Sequence, residues 1–182
     1  MIFHKTTLQD AWLIDIEPRG DERGIFARTM CREEFAAHGM AQDFVQQNMS
    51  TSAKAGTLRG MHFQRAPHTE AKLVRCIRGA ILDVIVDLRS GSPSYLRHEA
   101  FELTAENRRQ LYVPPGFAHS FQTLTDDSEV SYLVSAAYAP QAEGGLRYDD
   151  PVLGIKWPLP ITAISDKDAN WPYLVPGGPP LF

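Results

Sequence analysis

Apolar positions in this chain gather into short runs separated by turn residues. Lys72–Cys76 and Ala80–Leu88 are rich in Val, Ile and Leu, with Arg78-Gly79 as a turn between them. Asp83 and Asp87 interrupt the second run. Gly91-Ser92-Pro93-Ser94 is a turn by composition, and Arg97–Leu103 then alternates roughly polar and apolar. Gln110–Val113 stops at Pro114-Pro115-Gly116, and Ser120–Leu124 and Glu129–Ser135 flank Asp126-Asp127. Strands this short, at this spacing, predict an antiparallel sandwich or barrel.

Helix signals are few. Cys31–His38 followed by Gly39 reads as a short helix with a glycine stop, and Thr104–Asn107 as one turn at most. A mixed α+β domain fits the density of strands less well. The chain of 182 residues suits one domain spanning 1–182, in which Pro172–Phe182, with four prolines and two glycines, forms an irregular tail.

Composition narrows the partners. Lys plus Arg is 18 and Asp plus Glu is 22, a net charge of −4, which argues against nucleic acid as a partner. One phosphate ester needs only a local cluster of cations. The two cysteines, Cys31 and Cys76, are too few for a disulfide framework and read as reduced cytosolic thiols. The first residues lack a signal-peptide pattern, and no run approaches the ~20 apolar residues of a membrane helix. The expectation is a soluble, cytoplasmic protein.

Two segments carry candidate chemistry. Gly56-Thr-Leu-Arg-Gly-Met-His62-Phe-Gln64 and Pro114-Pro-Gly-Phe-Ala-His119 resemble the two motifs of cupin barrels. Gln64 stands where a metal-binding cupin has its second histidine, and Glu70 is off the usual spacing for the acidic ligand. His62 and His119 alone are a poor ligand set, so no metal is expected. For His4, His38, His68 and His98 a structural role is the better reading.

His62 keeps different company. Arg59, His62, Lys72 and Tyr132 fall on predicted strands or their ends, where alternation can turn them into one barrel. An interior with imidazole, ammonium, guanidinium and phenol needs an anionic ligand or internal carboxylates such as Asp83. The mixture suits proton abstraction beside a carbonyl: an imidazole as base, a cation for the enolate oxygen, a phenol as acid on the other face.

These segments sit in a longer ordered series. It runs through Asp21-Glu-Arg-Gly-Ile-Phe26, Val45–Ser50, Lys72–Cys76, Gly79, Asp83–Arg89, Ser92-Pro93, Leu111–His119, Tyr132 and Tyr138. It closes with Asp149-Asp-Pro151, Ile155–Pro158 and Ser165–Asp168. The series resembles the dTDP-4-dehydrorhamnose 3,5-epimerase family from about Asp10 to about Trp171. The resemblance implies an all-β, cupin-type jelly-roll barrel with a few short helices. It implies a homodimer without metal or organic cofactor, acting on a nucleoside-diphosphate 4-keto-6-deoxy sugar. It further implies His62 as base, Asp168 as the carboxylate that orients it, Lys72 as enolate stabiliser with Asp83 holding its ammonium, and Tyr132 as acid. Arg59, His119 and Lys167 correspond to diphosphate contacts. Arg23, Phe26, Gln46 and Asn48 correspond to the nucleotide end, and Tyr138 to the sugar or base region.

The chain departs from the family at three places. Arg28 stands for a common glutamate near the nucleotide end, His119-Ser120-Phe121 for His-Gly-Phe, and Gln47-Asn48-Met49 for Asp-Asn-His. These bear on substrate more than on reaction. The rival readings are an epimerase inverting only C3 or C5, a non-catalytic sugar-nucleotide-binding barrel, and a metal-dependent cupin. Phe26 as a core aromatic, Arg89 as a surface ion-pair partner, Asp149 and Asp150 as turn residues and Trp157 as core are the plainer structural readings.

Overall fold

The computed structural model describes residues 1–41 and 43–182. The chain opens with strands β1 (Ile2–Lys5), β2 (Trp12–Asp15), β3 (Arg19–Asp21) and β4 (Gly24–Phe26), then helix α1 (Arg32–Ala36). Next come β5 (Gln46–Ser52), β6 (Leu58–Gln64), β7 (Lys72–Arg78), β8 (Ala80–Asp87) and β9 (His98–Thr104). They are followed by β10 (Gln110–Val113), β11 (Phe117–Thr123), β12 (Ser128–Val134), β13 (Glu143–Gly145) and helix α2 (Asp166–Ala169).

One sheet has the order β1-β2-β10-β7-β12-β5 and the other β13-β6-β11-β8-β9. From β5 onward each strand crosses to the opposite sheet, except at the β8–β9 hairpin, and the pairings are antiparallel. This is jelly-roll connectivity. The β3–β4 ribbon belongs to neither sheet.

The main core lies between the sheets. Val74, Cys76, Leu111, Val113 and Val130 meet Ile81, Ile85, Phe101, Leu103, Phe117 and Phe121 from the facing strands. Burial pushes the Cys76 thiol up to about 11, so it behaves as a small apolar side chain. Strand β8 is buried on both faces. Ile81 and Ile85 point into the barrel, while Val84 and Val86 pack under Leu146, Leu153, Trp157, Leu174, Leu181 and Phe182. That double burial explains why β8 reads as an almost unbroken apolar run. Asp83 shares the inward parity of Ile81 and Ile85 and is fully buried. Asp87 is the other buried acid of this strand; it accepts hydrogen bonds from Arg89, Ser92 and Ser94 and ties down the turn before β9.

The anticipated strands form, Gln110–Val113 with the expected bounds and the others with ends moved by at most three residues. The helix expected over Cys31–His38 is shorter, Arg32–Ala36, and Gly39 follows it at φ +70°. Residues 172–182 hold no strand or helix, yet Leu174, Leu181 and Phe182 pack on the barrel. Trp157 packs there too, donating its indole N–H to the Tyr148 carbonyl at 2.9 Å.

Candidate active site

The site is built at the mouth of the barrel, where β6 and β11 run side by side. His62 stands opposite His119 in the ladder, and the register slips between His119 and Ser120. Gly60 makes that approach possible. It has φ +109°, and a Cβ there would lie 2.6 Å from the His119 carbonyl oxygen and 2.9 Å from Ser120 Cα. Across the barrel, β12 lies between β7 and β5, so Tyr132 stands beside Val74 and Asn48, and Val134 beside Lys72.

His62 and Asp168 form a tight pair, Nε2 to Oδ1 at 2.6 Å. The imidazole is one-third exposed and the carboxylate nearly buried. Asp168 is held at its own end by Ser165, whose Oγ accepts the Asp168 backbone N–H at the start of α2. Its Oδ2 accepts the Gly60 N–H at 3.1 Å, and its Oδ1 also accepts the Trp171 indole N–H at 3.2 Å. Burial pushes the Asp168 carboxyl up. The hydrogen bond and charge of His62, with the Gly60 and Trp171 N–H groups, outweigh burial and hold it below the usual carboxylate range.

A cavity of about 520 Å³ opens over this pair and is lined by Arg59, His62, Lys72, His119, Tyr132, Lys167 and Asp168. A second cavity, about 260 Å³, shares His62, Lys72 and Tyr132 and continues to Gln46, Asn48, Glu70, Tyr138 and Glu143. The imidazole, ammonium and phenol therefore stand where the two spaces meet. Burial, then the nearby Glu70 charge, pushes the Tyr132 phenol above its ordinary value.

The partner expected for Lys72 is corrected. Its ammonium pairs with Glu70, and both side chains are nearly buried. Glu70 is also approached by the Gln64 amide at 3.3 Å. Asp83 instead accepts from His119, Oδ2 to Nε2 at 2.9 Å. The reason is register: Asp83 lies opposite Phe121 on β11, two residues from His119 on the same face. Lys72 belongs to the other sheet.

Lys167 is paired with Glu143 at 2.8 Å, which raises its pKa, and the Tyr138 hydroxyl donates to the same carboxylate at 3.2 Å. Arg59 is different. Its guanidinium donates to Ser52 Oγ and the Thr51 carbonyl, and among the described residues it has no carboxylate partner. Gln46 Nε2 donates to Asn48 Oδ1 at 2.9 Å.

Arg23 and Phe26 do not join these residues. They lie on the β3–β4 ribbon, where Arg23 forks onto Asp21 and Phe26 is 75% exposed. Phe26 is thus no core aromatic. It borders a separate surface hollow with Arg28, which pairs with Glu34 at 2.7 Å. Glu70 was weighed from sequence only as an off-spacing metal ligand, and Glu143 and Trp171 were given no role there. Glu70 and Lys72 at a spacing of two were a usable signal for one strand face, and Trp171 sits three residues after Asp168. Nothing in the local sequence points to Glu143.

Fold and site together define a cupin-type jelly-roll protein whose barrel mouth presents titratable and cationic side chains to a cavity. The comparisons name the family. A family model described as dTDP-4-dehydrorhamnose 3,5-epimerase matches residues 5–175. A dTDP-4-dehydrorhamnose 3,5-epimerase of Sinorhizobium fredii is 44% identical over 96% of this chain and 90% of its own. The crystal structure of the Bacillus anthracis enzyme of that name, with TDP and PPi bound, superposes with a TM-score of 0.91. It is 41% identical over 95% of this chain and 99% of its own. A 3'-monoepimerase from Streptomyces bikiniensis, in complex with dTDP-quinovose, has a TM-score of 0.86. It is 38% identical over 93% of this chain and 86% of its own. The chain belongs to the dTDP-4-dehydrorhamnose 3,5-epimerase family.

Proposed function

We propose that this protein inverts C3 and C5 of dTDP-4-dehydro-6-deoxy-D-glucose, giving dTDP-4-dehydro-L-rhamnose. The observation that carries the reading is the His62–Asp168 pair at 2.6 Å, set with Lys72 and Tyr132 on the wall of one cavity. Because Nε2 is bonded to Asp168, Nδ1 is the nitrogen left for substrate. The C4 ketone acidifies the protons on C3 and C5. His62 takes one of them, and the electron pair of the broken C–H bond moves to the C4 oxygen as an enolate. The Lys72 ammonium faces that charge, which exists only along the reaction path. Tyr132 then gives its phenolic proton to the opposite face of the carbon, and the configuration inverts. The buried Asp168 carboxylate holds the ring orientation and balances the imidazolium.

Arg59 supports the diphosphate end, since its charge has no carboxylate partner among the described residues. His119 lines the same cavity, its ring oriented by Asp83. Lys167 lines that cavity beside them as a further diphosphate contact, Gln46 and Asn48 extend the surface toward the nucleotide, and Tyr138 borders the sugar or base region. No metal or organic cofactor is needed for these steps.

The protein is inferred to work as a homodimer. Arg23 and Phe26 stand outside the cavity of their own chain, on a ribbon whose Ile25 and Phe26 are 50% and 75% exposed. A second copy gives that apolar surface something to cover and can bring a nucleotide contact to the neighbouring cavity. Cys31 and Cys76 are free thiols, in keeping with a cytoplasmic enzyme. Among the described residues no helix is long and apolar enough to cross a membrane.

The test is proton NMR of dTDP-4-dehydro-6-deoxy-D-glucose with the enzyme in heavy water. Loss of both the C3 and C5 proton signals, abolished in His62→Asn, supports double epimerisation. Loss of one signal names a single-site enzyme, and no exchange rejects the substrate. Light scattering in solution decides the dimer.

A further inference from the structure

Asp168 Oδ1 receives two donors: the His62 Nε2 at 2.6 Å and the Trp171 indole Nε1–H at 3.2 Å. The indole also meets the imidazole edge to face, with ring centroids 6.4 Å apart. Its own place is tightly set. A Cβ on Gly145, in β13, would lie 2.3 Å from the indole ring. Gly145 in turn pairs with His62 in the β13–β6 ladder. The base, its carboxylate and the indole thus form one packed unit, fixed by β6, β13 and α2.

We propose that Trp171 is a positioning residue for the proton-abstracting step: its indole N–H shares the oxygen that faces His62 and so limits how strongly Asp168 draws a proton onto the imidazole. A carboxylate oxygen that already accepts one N–H is a weaker acceptor for the next. With the indole in place, Asp168 Oδ1 orients His62 while dividing its charge between two donors. Without it, the full pull of Oδ1 falls on the imidazole, which then protonates at higher pH. The proposal rests on the reading of His62 as the base.

Trp171→Phe keeps an aromatic ring and removes the donor. Other charged and titratable groups around His62 stay in place: Arg59, His119, Lys72 with Glu70, Tyr132, Glu143 and Lys167. The experiment is an NMR titration of the His62 imidazole in the full-length protein, assigned with His62→Asn, beside the pH profile of kcat/KM. Trp171→Phe is expected to move both the His62 titration and the acid limb upward by about half a unit to one unit, the size expected for one hydrogen bond to a charged group. Benzothienylalanine at position 171, which has the indole shape without its N–H, is expected to do the same if phenylalanine disturbs the fold. A His62 titration that does not move in either variant overturns the proposal and leaves the base reading standing. Persistent exchange of the sugar protons in His62→Asn overturns the base reading, and the proposal with it.

Discussion

Lys72 finds its carboxylate in Glu70, two residues back along its own chain, and the pair is nearly buried. A buried ammonium without a partner is costly, so Glu70 fixes where the charge of Lys72 can stand. The same carboxylate helps push the Tyr132 phenol upward. Glu70→Gln keeps the size and removes the charge. It is expected to lower kcat about tenfold with a smaller change in KM, and to move the basic limb of the pH profile down. Steady-state kinetics across pH checks both; a loss confined to KM would assign Glu70 to binding instead.

Asp83 serves His119. Asp83→Asn swaps a charged acceptor for an amide in a fully buried position. His119 then has only a neutral acceptor in place of the carboxylate that sets its ring, while Lys72 keeps Glu70. The expectation is a several-fold rise in KM for the nucleotide sugar with kcat less affected, and a stability loss of about 1–3 kcal/mol in urea unfolding. A collapse of kcat at unchanged KM would return Asp83 to the proton-transfer machinery.

The contrast between these two acids shows what could be read from the chain and what could not. Strands β7, β8, β10 and β12 were legible from their Val, Ile and Leu, and β9 from its polar–apolar alternation. Strand β5, Gln46–Ser52, was not. It is an edge strand whose burial alternates while nearly all its residues are polar, so hydropathy carries no period there. His62, Lys72 and Tyr132 stood out because an imidazole, an ammonium and a phenol on strands are hard to bury without a purpose. The resemblance supplied Asp168 for His62, but the partners of Lys72 and His119 did not stand out, since pairing is decided by register. One sheet places Asp83 near His119, and residues just ahead of β7 place Glu70 near Lys72. Helix α2 was hidden for another reason: its four residues form around a Ser165 cap, without an apolar face of their own.

Tyr132 and His62 have separable jobs in the proposed reaction. With the phenol raised by burial and by Glu70, Tyr132 stays protonated beyond the usual tyrosine range near ~10. The basic limb of activity is therefore expected above pH ~10, provided the fold survives there. Tyr132→Phe removes the acid and leaves the base. It is expected to exchange a sugar proton for deuterium in heavy water without inverting the carbon, because His62 returns the deuteron to the face it came from. NMR of the recovered sugar distinguishes exchange from epimerisation; inverted product at the normal rate would exclude Tyr132 as the acid.

Asp168 gives a pH signature in stability. Its carboxyl is held below the ordinary value in the folded protein. For a depressed acid the sign is fixed: the contribution is present above the unfolded value, near ~3.9, and is lost as pH falls through the folded one. Wild type is therefore expected to exceed Asp168→Asn in unfolding free energy at pH 7 by more than it does at pH 3. Urea titrations at the two pH values check it, and an equal gap at both would mean that the carboxylate charge adds nothing to folding.

Gly60 is where fold and chemistry depend on the same atom, a hydrogen in place of a side chain. Its φ of +109° disfavours any L residue, and a Cβ would press into the backbone of His119 and Ser120 at 2.6 and 2.9 Å. Both obstacles are main chain, so neither can rotate away. Gly60→Ala must push β6 from β11 at the point where His62 and His119 face each other, and its own N–H would leave Asp168 Oδ2. The expected loss is about 2–4 kcal/mol of stability. Activity should fall further than the unfolded fraction explains, because the proposed proton transfer tolerates little displacement of His62. Thermal unfolding and turnover measured on the same sample, well below the variant's midpoint, separate the two effects. Full specific activity in the folded fraction would show that the close approach serves the barrel alone.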